Sequence, residues 1–301
     1  MIIVQGIGGL GNQLFKYASA KRFAKELNTE VKFDLTHYKE KNLVHTFKLN
    51  RFETRFEIAN EEEISEFKNK EPHSYMQRIF SKIPLKANPY CKYSYISENN
   101  HTAREIIEKI SRNNKSQSYY LHGWFANPLY FEGIRAELLN EITPLKSDDY
   151  PVNYTKLLDK IQHSDSVAIH LRFGDYLTID FFHNLGEEYY LAGIDAIKAK
   201  VQKPVFFIFT DDRPRSEGFL KHLDIKTTYT DIGPDYDFLD LYLMSRCRHI
   251  IMANSTFSWW GAWLNNTDDK IVIAPKIWYN DKKAQKKYEN GDLITSDWIK
   301  I

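Results

Sequence analysis

The 301-residue chain reads as an α/β protein of two domains, each built on a mostly parallel, doubly wound sheet. Three observations predict this. In the C-terminal half, short β-branched apolar runs alternate with helical patterns, as a parallel sheet with right-handed crossovers requires. The first strand, Met1 to Gln5, runs straight into Gly6-Ile7-Gly8-Gly9-Leu10-Gly11-Asn12-Gln13 and a helix, the layout of a ligand-facing βα turn. Between the halves, Thr143 to Tyr154 carries Pro144, Pro151 and two Asp, which marks a boundary. The domains are therefore expected at 1–145 and 146–301, facing a cleft suited to a nucleotide-linked substrate.

Taken in order, Met1–Gln5 is a buried strand and Leu14 to Leu27 a helix. Residues 36–118 show weak periodicity and are expected as an irregular insertion or an acceptor-facing segment. Within them, Asn60 to Phe67 reads as a capped acidic helix and Ala103 to Ile110 as another. Ser118 to Phe125 resembles a strand, followed by a helix from Pro128 to Leu139. After the boundary, strands are expected at Val167–Leu171, Pro204–Phe209, His249–Met252 and Ile271–Ile273. Helices are expected at Glu187–Lys200, Asp237–Arg246 and Thr256–Leu264.

Bulk properties exclude some classes. Lys and Arg total 41 against 40 Asp and Glu, a formal charge of +1, so nothing argues for nucleic acid or a strongly anionic surface. The two cysteines, Cys91 and Cys247, lack metal-ligand spacing and read as buried thiols in a reducing compartment. The N-terminus has no basic region ahead of a long apolar run, and no uncharged stretch approaches the roughly 18 residues of a membrane span. A cytoplasmic protein is expected.

Three strand ends carry chemistry. Val167-Ala168-Ile169-His170-Leu171-Arg172-Phe173-Gly174-Asp175-Tyr176 passes from an apolar run to His, Arg and Asp, and ligands sit beyond the carboxyl ends of such strands. Thr210-Asp211-Asp212 ends a second strand, its acids suited to a ribose contact or simply to capping the next turn. Asn254-Ser255-Thr256 opens a helix, where hydroxyls and N–H groups suit a phosphate or a simple N-cap. Arg172 supplies a fork that matches the same phosphate. Asp235-Tyr236-Asp237 has a spacing that holds Mg²⁺ or Mn²⁺ in some sugar-nucleotide enzymes, but two acids at a helix start also suit its dipole.

These residues carry a resemblance. Gly8-Gly9-Leu10-Gly11-Asn12-Gln13-Leu14-Phe15, His170-Leu171-Arg172-Phe173-Gly174-Asp175-Tyr176 and Asn254-Ser255-Thr256-Phe257-Ser258-Trp259-Trp260-Gly261-Ala262-Trp263-Leu264 are similar to the three signatures of the bacterial α-1,2-fucosyltransferases, glycosyltransferase family 11. Lys270-Ile271-Val272-Ile273-Ala274-Pro275 and Asp297-Trp298-Ile299 are similar too. The resemblance implies a GT-B-type α/β fold of two Rossmann-like domains, the first mainly acceptor-side and the second binding a GDP-sugar. It implies an inverting galactoside 2-α-L-fucosyltransferase that needs no metal or other cofactor. L-fucose would pass from GDP-fucose to the 2-hydroxyl of a terminal galactose-like residue on an oligosaccharide or lipid-linked glycan. Nucleic acid is no partner, and peripheral contact with the inner face of a membrane stays open.

By the same resemblance, Arg172 contacts the β-phosphate, His170 shapes that site, Ser255 and Thr256 reach the phosphates, and Asp240 binds the guanine edge. Asn12 projects from the glycine loop into the cleft, as one of the donor-binding residues. Asp180 and His183 are the general-base candidates, and Asp175 braces Arg172 or its loop. One departure stands out, because the family usually shows two adjacent arginines where this chain has Arg172-Phe173. Losing a charge-assisted contact would cost about 1.5–3 kcal/mol if the second arginine touched the donor. Otherwise Phe173 simply repacks. A transferase of another GDP-sugar and a sugar-nucleotide- or glycan-binding protein without turnover are the competing readings. A glycoside hydrolase would need two opposed carboxylates.

Overall fold

The computed structural model describes residues 1–40, 43–68, 95–98, 101–112, 118–174, 176, 179–223, 225–289 and 293–301. They form two compact units, Met1–Thr143 and Pro144–Ile301.

The first unit contains β1 (Ile2–Gln5), α1 (Leu10–Leu27), β2 (Val31–Asp34), β3 (Glu57–Ile58), α2 (Glu61–Lys68), β4 (Tyr95–Ser97), α3 (Ala103–Arg112), β5 (Tyr119–His122) and α4 (Arg135–Glu141). Its strands are all parallel in the order β3-β2-β1-β5-β4. Ile2, Ile3 and Val4 are fully buried, as expected of a central strand covered on both faces, and this is why β1 reads as an unbroken apolar run. Helix α1 ends at Asn28 in the left-handed region, whose N–H bonds back to the carbonyls of Ala24 and Lys25. Helices α2 and α3 open on reciprocal caps, Asn60 with Glu63 and Thr102 with Glu105.

Two expectations change here. Residues 36–118 are not simply an irregular insertion, because β3 and β4 lie within them and extend the sheet at both edges. Those strands are two and three residues long, too short to show a period of two. The stretch 69–94 lies outside the described residues. The helix expected over Pro128–Leu139 is divided into a 3₁₀ turn at Pro128–Phe131 and α4. Gly133 between them has φ +84°, which no α-helix accommodates.

The second unit contains α5 (Val152–Gln162), β6 (Ser166–Leu171), α6 (Glu187–Lys198), β7 (Val205–Thr210), α7 (Arg213–Leu220), β8 (Thr227–Tyr229), α8 (Asp237–Arg246), β9 (His249–Ile251), α9 (Thr256–Leu264), β10 (Val272–Ala274), α10 (Lys282–Lys287) and β11 (Ile299–Lys300). The sheet is parallel throughout, in the order β11-β10-β9-β6-β7-β8. The chain winds out through β7 and β8 on one side of β6, then returns to lay β9, β10 and β11 on the other. That is the Rossmann strand order, and the direction reverses between β6 and β9, where ligands of such sheets bind.

The core sits on both faces of this sheet. Val167, Ile169 and Leu171 pack with Tyr190, Ile194, Ile197, Ile208 and Ile273. On α9, Trp259 and Trp260 are fully buried, and the Trp259 indole N–H donates to the Leu293 carbonyl at 2.7 Å. Gly261 lies so close to α8 that a Cβ there would come within 2.6 Å of the Met244 sulfur. Most of the Trp-Trp-Gly-Ala-Trp run is therefore scaffold for the helix start rather than ligand surface. Cys247 is buried, which pushes its thiol pKa up, whereas Cys91 lies outside the described residues. No helix among the described residues is long and apolar enough to cross a membrane.

Candidate active site

The site grows from the end of β6. Alternation along the strand sends Val167, Ile169 and Leu171 into one core cluster and His170 to the opposite face, where its ring lies 5.5 Å from that of Phe257 on α9. His170 is 5% exposed, and its Nδ1 has no partner among the described residues. Burial, reinforced by the nearby Arg172 charge, pushes its pKa down to about 3. The imidazole is therefore neutral near pH 7 and contributes shape and one unused polar atom rather than positive charge.

Arg172 emerges two residues later and is held on two sides. Its Nη1 lies 2.8 Å from Oδ2 of Asp211, with side chains 24% and 22% exposed. The other carboxylate oxygen of Asp211 accepts the Phe173 N–H at 2.9 Å. A Cβ at Gly174 would sit 2.6 Å from Oδ2 of Asp211, so glycine lets this carboxylate approach. On its other side the guanidinium carbon stands 5.5 Å from the centre of the Tyr176 ring. Tyr176 stacks on Phe182 at 4.2 Å, and its hydroxyl donates to the Asn254 carbonyl at 3.2 Å. That carbonyl immediately precedes the start of α9, so Tyr176 ties the arginine to the helix terminus across the β6/β9 reversal.

The helix start is equally constrained. Asn254 is buried and its Nδ2 donates to the carbonyls of His183 and Trp278 at 2.7 and 2.9 Å. The Ser255 hydroxyl accepts the Phe257 N–H at 3.3 Å as the N-cap, and Thr256 beside it is half-buried. The loop carrying the base candidates is pinned from outside. Asn280 donates to the carbonyls of Asp180 and Phe182 at 3.0 and 2.9 Å, and its Oδ1 lies 3.2 Å from His183 Nδ1. Asp180 is exposed and His183 half-buried.

The structure thus brings His170, Arg172, Ser255 and Thr256 to the carboxyl ends of β6 and β9, with Asp180 and His183 on a loop anchored there through Asn254. Asp175 lies outside the described residues. Asp211, left between a ribose contact and a cap by the sequence, pairs with Arg172, and it is Asp212 that caps α7, accepting the Arg215 N–H at 3.1 Å. The signal for Asp211 was non-local. Leu171 and Thr210 are register partners, so the residues that follow them face each other.

Phe173 is 7% exposed, joins the core cluster, and meets Phe219 edge-on at 5.7 Å. The guanidinium carbon of Arg215 lies 5.3 Å from its ring centre. Asp240 stands in the first turn of α8. Its Oδ1 is buried without a partner among the described residues. Burial pushes its pKa up to about 7, against the Thr230 hydrogen bond and with help from Asp237 and Asp231. Asp235 lies in the short 3₁₀ turn before α8, and the described residues hold no group of three His, Cys, Asp or Glu that could bind a metal ion.

Asn12 belongs to the first unit, in the first turn of α1, its N–H bonded to the Gly9 carbonyl at 3.0 Å. Gln13 beside it is fully buried and was missed as an anchor. Its amide donates to the carbonyls of Gly8 and Thr46 and accepts from the Lys48 N–H, at 3.0, 2.8 and 2.9 Å. Asp34, at the end of β2, accepts the Tyr120 hydroxyl at 2.6 Å and the Thr36 N–H at 2.9 Å.

Comparison with known proteins follows the same lines. The chain is 29% identical to an alpha-1,2-colitosyltransferase from Escherichia coli over 100% of this chain and 99% of that one. It is 26% identical to the O-antigen biosynthesis glycosyltransferase WbnK from Escherichia coli, over 98% of each. Galactoside alpha-(1,2)-fucosyltransferase 1 of Homo sapiens is 24% identical over 45% of this chain and 38% of its own. Among solved structures, a fucosyltransferase from Arabidopsis thaliana, a FUT1 mutant in complex with GDP, superposes with a TM-score of 0.54 at 12% identity, covering 90% of this chain and 69% of that one. The likeness is one of fold, the GT-B-type α/β class. The profile of glycosyl transferase family 11 matches residues 1–301, and the chain belongs to that family.

Proposed function

We propose that the protein transfers L-fucose, with inversion and without a metal ion, from GDP-fucose to the 2-hydroxyl of a terminal galactose-like residue. One observation carries this reading. Arg172 and the hydroxyl-bearing start of α9 are joined through Tyr176 at the strand-order reversal of the second unit. That arrangement suits a diphosphate, since guanidinium and helix N–H groups both favour oxyanions. As the sugar–oxygen bond breaks, negative charge develops on the β-phosphate. Groups already oriented towards it stabilise that charge more than they stabilise the bound donor.

The remaining roles follow from chemistry. The buried, unpartnered oxygen of Asp240 suits the paired N–H donors of a guanine edge. Neutral His170 would offer its unpartnered Nδ1 to the donor, while Ser255 and Thr256 present α9 to the phosphates. Asp180 or His183 would accept the proton of the attacking hydroxyl, a modest demand when the leaving group departs early. The N-terminal unit would serve mainly the acceptor and the C-terminal unit the donor, with Asn12 of the glycine loop adding a contact to the donor. The acceptor class, a galactose-terminated oligosaccharide that is free or lipid-linked, is supported by the relatives named for O-antigen biosynthesis and for galactoside fucosylation. A lipid-linked acceptor would bring the protein to the inner membrane face as a peripheral, cytoplasmic enzyme.

A second donor has a specific observation behind it. The relative at 29% identity is named for colitose, which is L-fucose without its 3-hydroxyl. The deciding experiment offers GDP-fucose and GDP-colitose with a β-galactoside acceptor and follows GDP release and product anomeric configuration, with and without a strong chelator. Inverted, chelator-insensitive transfer from GDP-fucose, lost about 10²–10³-fold in Arg172→Ala, is expected. Preference for GDP-colitose moves the reading to the second donor. Retained activity in Arg172→Ala, or loss on chelation that Mn²⁺ restores, would overturn the mechanism.

A further inference from the structure

We propose that Trp124 is a sugar-stacking platform in the N-terminal unit, taking the apolar face of the galactose-like acceptor residue. The inference rests on the glycosyl-transfer reading above and adds a binding residue to it.

Trp124 follows β5, and the glycine loop follows β1, its neighbour in the sheet. The two strands are parallel neighbours, so the indole and the glycine loop stand side by side at the carboxyl edge of the sheet, where ligands of such sheets bind. A Cβ on Gly8 would come 3.1 Å from its ring. The residue is nevertheless 48% exposed, while Trp259, Trp260 and Trp278 are buried.

The backbone beneath the ring is held at considerable cost. A single oxygen of Glu98, Oε2, accepts the N–H groups of Trp124 and Phe125 at 2.8 and 2.7 Å. Gly123 has φ +150° and Phe125 φ +51°, the latter in a region that costs a non-glycine residue about 1–2 kcal/mol. A Cβ on Gly123 would lie 2.5 Å from that of Glu98. Below them Lys16, fully buried, donates to the Gly123 carbonyl, and its ammonium lies 5.4 Å from the indole centre. Burial holds the Lys16 pKa down to about 7, with Glu98 opposing the shift.

Strained backbone and a buried charge persist where the surroundings over-determine them, and they concentrate at functional positions. Here they keep an aromatic face in water. Packing cannot be the reason, because packing would bury the ring. A galactose ring has one face made of C–H groups, because its 4-hydroxyl is axial. That face complements the negative face of an indole, whose body is apolar and whose N–H stays available for hydrogen bonding.

The test compares wild type, Trp124→Ala and Trp124→Phe by acceptor KM, donor KM and thermal melting. It adds saturation-transfer NMR with methyl β-galactoside, which needs no turnover. The expected result is an acceptor KM raised at least tenfold in Trp124→Ala and largely restored in Trp124→Phe, with donor KM moving less than threefold. In the NMR experiment, saturation should centre on H3, H4 and H5 of the galactoside and vanish in Trp124→Ala at unchanged melting temperature. Acceptor KM within twofold of wild type, equal changes in both KM values, or no galactoside saturation in the wild type would overturn the platform. If no donor supports transfer yet the NMR pattern appears and depends on Trp124, the functional reading falls and the platform stands.

Discussion

Replacing Asp211 by Asn tests whether the Arg172 grip is built by β7. The substitution keeps an oxygen for the Phe173 N–H, now bonded at 2.9 Å, and changes the partner of Arg172 Nη1, now 2.8 Å away, from an anionic acceptor to an amide donor. A hydrogen bond to a charged group contributes about 1.5–3 kcal/mol, while exposed ion pairs contribute about 0.2–1 kcal/mol. With both side chains about a quarter exposed, a value of about 1–2 kcal/mol is reasonable. The Arg172 charge remains, so the loss is one of orientation. Donor kcat/KM, followed by GDP release at saturating acceptor, should fall about 5–30-fold, since each 1.36 kcal/mol is a factor of ten. This is well short of the Arg172→Ala effect. In the double variant the Asp211 loss should disappear, because a positioning residue has nothing left to position. A donor kcat/KM within twofold of wild type, an increase, or two losses that simply multiply would refute the assignment.

Two further substitutions probe the units separately. Phe173→Arg places a third cation beside Arg172 and Arg215 in a position 7% exposed and packed on Phe219. Burying an unpaired charge should cost about 3 kcal/mol or more, a fall in melting temperature of about 6–12 °C, and an unchanged melting temperature with tighter donor binding would show that the position faces ligand. Lys16→Met probes the buried ammonium. Its folded pKa is lowered from 10.5 to about 7, so below pH 7 it is charged folded and unfolded and the burial cost is fully present. As pH rises from 7 towards 10.5 the folded chain gives up the proton first and stability increases. The ceiling is about 5 kcal/mol at about 1.4 kcal/mol per decade, less about 1–3 kcal/mol for leaving the Gly123 carbonyl without its donor. Lys16→Met should therefore melt higher than wild type at pH 6, with the gain vanishing by about pH 10, and a pH-independent difference would contradict the assigned burial cost.

What the sequence made legible follows from how far apart the interacting residues lie. Central strands β1 and β6 are covered on both faces, so their apolar runs are continuous and stand out. Edge strands β3, β4, β8 and β11 have two or three residues and leave no pattern. The strand-end residues His170, Arg172 and Ser255 were visible because a polar residue closing an apolar run is a local signal. Their partners were not. Asp211 meets Arg172 through the β6–β7 register, and Asn254 reaches His183 and Trp278 across 71 and 24 positions. Trp124 was invisible for another reason, since a Trp after a strand reads as core until its exposure is known.

Phe173 shows how such non-local information changes the meaning of a motif. In the linear pattern it stands where a second arginine is usual, and the gap reads either as a missing donor contact or as a repacked position. In the fold, position 173 turns inward, its N–H held by the same carboxylate that pairs with Arg172. Its ring fills the end of the core cluster under Phe219 and Arg215. Asp211 therefore couples the two halves of the Arg172-Phe173 pair, one oxygen orienting the guanidinium and the other fixing the backbone that sends the next side chain into the core. A phenylalanine there strengthens this division by adding apolar burial on the inward side without competing for the carboxylate. The departure from the usual arginine pair is then a repacking that leaves the orientation of Arg172 to Asp211 and Tyr176.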